Sequence, residues 1–125
     1  MPETALIVED EVRVAQLCEK LLAKRGFASV IVSSAAAAAE AIRSGGKTYR
    51  LVYVDVGLPD GSGLDVAAEI RRLEPGLPVI VATGSLDDID AGPAVVLRKP
   101  FTLVQFAEAV ERALGGSGNV STPAP

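Results

Sequence analysis

The chain alternates between two hydrophobic periods. Ala5 to Val8 is an apolar run too short for a helix and reads as a buried strand. From Asp10 to Arg25 the spacing changes. Val14, Leu17, Cys18 and Leu21 recur at helical intervals, and Gly26 stands where a helix stop is expected. Val30–Val32, Leu51–Val54, Val79–Ala82 and Val95–Leu97 are further short apolar runs, each read as a strand. Between them lie three more helical stretches. An alanine-rich one is capped by Ser33 or Ser34 and ends before Gly45-Gly46. A second covers Leu64–Leu73, with Val66, Ala67 and Ile70 on one face. The last opens at Thr102, with Gln105 completing a capping box and a stripe of Leu103, Phe106, Ala107, Val110, Ala113 and Leu114.

Strand and helix in this rhythm imply right-handed βαβ crossovers. The expected fold class is α/β, a doubly wound five-stranded parallel sheet covered on both faces. The continuous apolar strands agree, since a strand buried on both sides has no polar alternation. One domain over residues 1–114 is expected. Residues 115–125 (G-G-S-G-N-V-S-T-P-A-P from Gly115, the last residue Pro125) have the composition of a flexible tail or linker.

Composition then narrows the chemistry. The 125 residues carry 12 basic and 16 acidic side chains, a net charge of −4, no histidine, no tryptophan and one cysteine. Without histidine there is no imidazole catalysis, no histidine-ligated metal and no phosphohistidine of the chain's own. A lone cysteine excludes an internal disulfide and a thiolate zinc cluster. An acidic chain with two tyrosines and three phenylalanines offers no footprint for nucleic acid, so none is expected as a partner. No apolar run approaches the ~20 residues of a membrane span, and the M-P-E-T start lacks the features of a secretory signal. A soluble cytoplasmic protein with no membrane partner is expected.

In open parallel sheets the working site lies beyond the carboxyl ends of the strands. The first strand ends in Glu9 and Asp10, the third in Asp55, the fourth in Thr83 and the fifth in Lys99. Each has an ordinary explanation taken singly: helix-dipole acids, a turn residue, a strand-end hydroxyl, a solvated lysine. Their joint place at the ends of four strands argues otherwise. Crowded carboxylates repel unless a hard divalent cation relieves them, and oxygen ligands with open water positions suit Mg²⁺. Adding a lysine and a hydroxyl makes a cradle for a phosphoryl group, within which a carboxylate can act as nucleophile.

The motifs L-I-V-E-D-E (Leu6–Glu11), L-V-Y-V-D-V-G-L-P-D-G-S-G (Leu51–Gly63), V-I-V-A-T-G (Val79–Gly84) and L-R-K-P-F (Leu97–Phe101) occur in the order and spacing of one family. The chain resembles the receiver domain of two-component response regulators, over about residues 4 to 114. The resemblance implies a flavodoxin-like (βα)5 receiver fold. It implies that Asp55 accepts a phosphoryl group from a histidine kinase or phosphotransfer protein, and that the domain is a signalling module rather than an enzyme. Carried over by position, Glu9, Asp10, Asp55 and the backbone carbonyl of Gly57 would hold Mg²⁺. Thr83 and Lys99 would meet the phosphoryl oxygens. The Lys99–Pro100 bond is expected to be cis.

Two departures from the family stand out. Only fifteen residues separate Thr83 from Lys99, and G-S-L-D-D-I-D-A-G-P within them is a poor helix former. A short or disordered fourth helix, of two turns at most, is expected. This resembles a subgroup of stand-alone receivers with an A-T-G motif. The position three before the lysine, aromatic in the family, is Val96, so the aromatic switch does not carry over. Ordering of segment 84–93 on phosphorylation is the expected substitute. Two alternatives share the fold: a flavodoxin-like binder of flavin or nucleotide, and a degenerate receiver used as a scaffold. The first would need a Gly/Ser/Thr-rich loop after the first strand, where this chain has E-D-E. The second conflicts with the complete set of site residues.

Overall fold

A computed structural model describes residues 3–45 and 48–115. In chain order the elements are β1 (Glu3–Val8), α1 (Val12–Ala23), β2 (Phe27–Val32), α2 (Ala35–Gly45), β3 (Tyr49–Asp55), β4 (Gly57–Leu58), β5 (Gly61–Ser62), α3 (Gly63–Leu73), β6 (Val79–Thr83), β7 (Val95–Arg98) and α4 (Leu103–Gly115). Five strands form one sheet in the order β2-β1-β3-β6-β7, with every pair parallel. The tail expected from composition lies outside the described residues beyond Gly115.

Alternation along the strands sends successive residues to opposite faces, and both faces are apolar. Ala5, Ile7, Leu51, Tyr53, Ile80, Ala82 and Leu97 meet α1 and α4 through Ala15, Cys18, Leu22, Phe106, Ala109 and Val110. Leu6, Val8, Val52, Val54, Val79 and Val81 meet α2 and α3 through Ala38, Ile42, Val66, Ala67 and Ile70. Burying each of the larger aliphatic side chains contributes about 1.5–3 kcal/mol. The sheet is thereby a rigid plate whose carboxyl-end edge can hold side chains in fixed relation.

Two helix faces differ from the periodicity reading. In α1 the buried stripe is Ala15, Cys18 and Leu22, and Leu17 is exposed. In α4 it is Phe106, Ala109 and Val110, while Leu103 is 62% exposed and Leu114 lies at the margin. Two apolar stripes fit each helix, and the one the sheet selects is narrower than the sequence suggests. The capping box stands as read: Gln105 N–H donates to the Thr102 hydroxyl and Thr102 N–H to Gln105 Oε1, at 3.1 and 2.9 Å. Ser34, not Ser33, caps α2, accepting from Ala37 N–H at 3.1 Å.

Between β6 and β7 there is no helix among the described residues. Side chains there take the backbone N–H groups a helix would need. Thr83 Oγ1 accepts from Ser85 N–H, Ser85 Oγ from Asp87 N–H and Asp90 Oδ1 from Gly92 N–H, at 3.0–3.1 Å. Arg98 holds the segment from β7, donating to the carbonyls of Ser85 (2.6 Å) and Asp87 (3.2 Å).

Candidate functional site

The strand ends deliver the predicted residues to one edge. Glu9 follows β1, but its N–H still bonds to Val32 O at 3.0 Å, so the backbone stays in the sheet and the side chain is only 2% exposed. Asp10, one residue on, is exposed. Asp55 closes β3 and is buried. Carboxylate oxygens of Glu9, Asp10 and Asp55 all lie within 4.8 Å of one another.

Lys99 reaches this cluster from beyond β7. Its N–H donates to Thr83 O at 2.7 Å, and the Lys99–Pro100 bond is cis, as expected. Its Nζ lies 3.0 Å from Glu9 Oε1 and 3.0 Å from Asp55 Oδ1. One ammonium therefore bridges two buried carboxylates. Burial alone would lower the lysine's pKa, but the hydrogen bonds and charges of Asp55 and Glu9 outweigh it and hold it above the ordinary value. Burial pushes the Glu9 carboxyl up, against the opposing hydrogen bond from Lys99, and the Asp55 charge adds to the rise. Three carboxylates with one ammonium leave an excess of negative charge at a desolvated edge. That is an arrangement a hard cation would relieve.

Thr83 is buried at the end of β6, with its oxygen already accepting from Ser85 N–H. Gly57 lies beside Asp55: a Cβ added there would stand 3.8 Å from Asp55 Oδ2. Every residue singled out from the strand ends is thus on this edge. Glu9, Asp55 and Lys99 are in direct contact, Asp10 and Gly57 adjacent, and Thr83 beside them through Lys99.

The profile of the response regulator receiver domain matches residues 5–111. The chain belongs to the response regulator receiver domain family. It is 33% identical to the uncharacterized transcriptional regulatory protein YkoG of Bacillus subtilis, over 90% of this chain and 51% of that protein. It is 29% identical to the transcriptional regulatory protein CreB of Escherichia coli, over 98% of this chain and 56% of CreB. This receiver spans about half the length of these relatives. A crystal structure of a response regulator receiver protein from Sinorhizobium medicae superimposes with a TM-score of 0.83 at 29% identity, over 92% of this chain and 96% of that one.

Three features of the receiver escaped the sequence reading. Asp60, in the L-P-D-G turn, caps α2: its two oxygens accept from Ala35 N–H (2.7 Å) and Ala36 N–H (3.0 Å). Those donors hold its carboxyl below the ordinary range. A carboxylate and the start of a helix 25 residues away in sequence carry no local signature of pairing. The turn itself closes as a small antiparallel hairpin of β4 and β5, with Gly63 N–H donating to Val56 O at 2.8 Å. Gly63 packs directly on the backbone of Asp55. Tyr53 is the third. It lies two residues before Asp55 on the same face of β3, and its hydroxyl donates to Glu9 Oε1 at 3.3 Å. A polar tip on that face, in register with the first strand, was the available clue.

Proposed function

We propose that the domain is a phosphoacceptor of a two-component relay. The observation that supports this most is the bridge of Lys99 Nζ between Asp55 and Glu9 at 3.0 Å each, within the cluster of three carboxylates. Asp55 is the nucleophile. One of its oxygens attacks the phosphorus of a phosphohistidine on a histidine kinase or phosphotransfer protein. The P–N bond breaks and the imidazole leaves, giving an aspartyl phosphate. These 125 residues contain no histidine, so the phosphohistidine lies outside them.

The donor set is all oxygen, which fits Mg²⁺. Glu9, Asp10, Asp55 and the Gly57 carbonyl are the residues that would hold it. Bound there, the ion would supply positive charge to the equatorial phosphoryl oxygens. Lys99 holds the Asp55 carboxylate oriented at 3.0 Å, then neutralises part of the charge of about −1.5 to −2 that a phosphoryl group adds. Thr83 accepts through its oxygen from Ser85, which leaves its O–H to donate to a phosphoryl oxygen.

Signalling then runs through segment 84–93 in place of a helix between β6 and β7, because Val96 offers no aromatic ring to rotate. The test uses Mg²⁺ and acetyl phosphate, with the intact mass of the protein as readout. One added phosphoryl group is expected in the wild type and none in Asp55→Ala. No adduct in the wild type, or an undiminished one in the variant, overturns the proposal.

A further inference from the structure

Tyr53 is fully buried in the core beneath the site. Its ring is set between Phe101, edge-on with centroids 6.5 Å apart, and Phe106 at 6.4 Å. A buried hydroxyl is costly unless it finds a partner. Its partner here is Glu9 Oε1 at 3.3 Å, the same oxygen that takes the Lys99 ammonium at 3.0 Å. Glu9 Oε2 accepts from Glu11 N–H at 3.3 Å. Three donors, one in β3, one just beyond β7 and one in the loop after β1, thus fix one carboxylate. Glutamate has one more rotatable bond than aspartate, so its carboxylate needs more fixing to serve as a ligand.

We propose that Tyr53 is a positioning residue of the acidic site. Its core-buried hydroxyl holds the Glu9 carboxylate in place and so sets how tightly the three carboxylates bind a divalent cation. The inference rests on the metal reading given above and deepens it. Tyr53 touches no phosphoryl group and takes no part in transfer. It reaches the cation only through Glu9.

The experiment is a Mg²⁺ titration read by thermal shift, with no phosphodonor present. Tyr53→Phe should weaken Mg²⁺ binding roughly 3- to 10-fold, the equilibrium effect of one hydrogen bond. A second background separates positioning from packing. Glu9→Asp withdraws the carboxylate by about 1.5 Å, out of reach of the hydroxyl, so Tyr53→Phe should there leave Mg²⁺ affinity unchanged. Equal weakening in both backgrounds assigns Tyr53 a packing role and overturns the proposal. Unchanged affinity on the native Glu9 background overturns it also, with the metal reading intact. A wild type that shows no Mg²⁺-dependent shift removes both. Should Tyr53→Phe fail to fold, Tyr49→Phe leaves Tyr53 as the sole tyrosine in a chain without tryptophan. Its emission should then follow Mg²⁺ with the affinity found by thermal shift, and emission indifferent to Mg²⁺ overturns the proposal.

Discussion

Gly63 tests whether the backbone that carries Asp55 is seated as described. It is the first residue of α3, and a Cβ built on it would overlap the Asp55 carbonyl oxygen. The same atom would stand 2.7 Å from the Asp55 carbonyl carbon and 2.8 Å from Val56 Cα. These neighbours are backbone in the central strand and the turn after it, so no side-chain rotation relieves the overlap. Overpacking costs typically 1–3 kcal/mol, and rigid partners argue for the upper end, about 3. Replacing glycine by alanine within a helix returns about 1 kcal/mol. Gly63→Ala should therefore destabilise by ~2 kcal/mol, which for a chain of this size is a fall in Tm of roughly 8 °C. Gly76 is the control, since a Cβ there meets nothing within 4 Å. Gly76→Ala should be neutral or stabilising by about 0.4–1 kcal/mol. Urea unfolding of both variants beside the wild type measures the difference. If Gly63→Ala matched the wild type or the control, the close seating of α3 on the Asp55 backbone would be wrong.

Other consequences follow from the same geometry. Lys99→Met leaves two buried carboxylates without their shared ammonium and should cost ~3 kcal/mol near neutral pH, by denaturant unfolding. That deficit should shrink as pH falls, because Glu9, already raised by burial, takes up a proton readily; a deficit that grows on acidification would contradict the bridge. Asp60 has a lowered carboxyl in the folded state, so the stability it contributes is present above the ordinary carboxylate range and lost as pH falls through its depressed value. Asp60→Ala should thus be less stable than wild type at neutral pH and converge with it in acid, where parallel curves would refute the cap. Arg98→Ala frees the carbonyls of Ser85 and Asp87 and should speed amide exchange over 84–88 while leaving β3 protected.

The strands and the carboxyl-end edge were legible because both rest on short-range patterns. Continuous apolar runs mark doubly buried strands, and the residue that ends each run falls at the edge by topology alone. Thus Glu9, Asp55, Thr83 and Lys99 could be placed together before any coordinates. The cap at Thr102 was legible for the same reason, since both halves of its box lie within one turn. What escaped depends on contacts between distant segments. Asp60 caps a helix earlier in the chain, and Tyr53 finds Glu9 across two adjacent strands. Leu103 and Leu17 misled because helical spacing identifies candidate stripes, and the width of the sheet decides which is buried. The segment after β6 was readable as a poor helix former, of two turns at most, from its three aspartates and flanking glycines; the complete absence of a helix there among the described residues and the anchorage by Arg98 were not.

The central claim is that the carboxylate of Asp55, and no other in this acidic chain, becomes the acyl phosphate. Borohydride reduces an aspartyl phosphate to homoserine with release of phosphate and leaves free carboxylates untouched. After treatment with Mg²⁺ and acetyl phosphate, then borohydride, peptide mass spectrometry should find homoserine at position 55. Homoserine at Asp10 or elsewhere, or none at all in protein that has gained a phosphoryl group, would contradict the assignment.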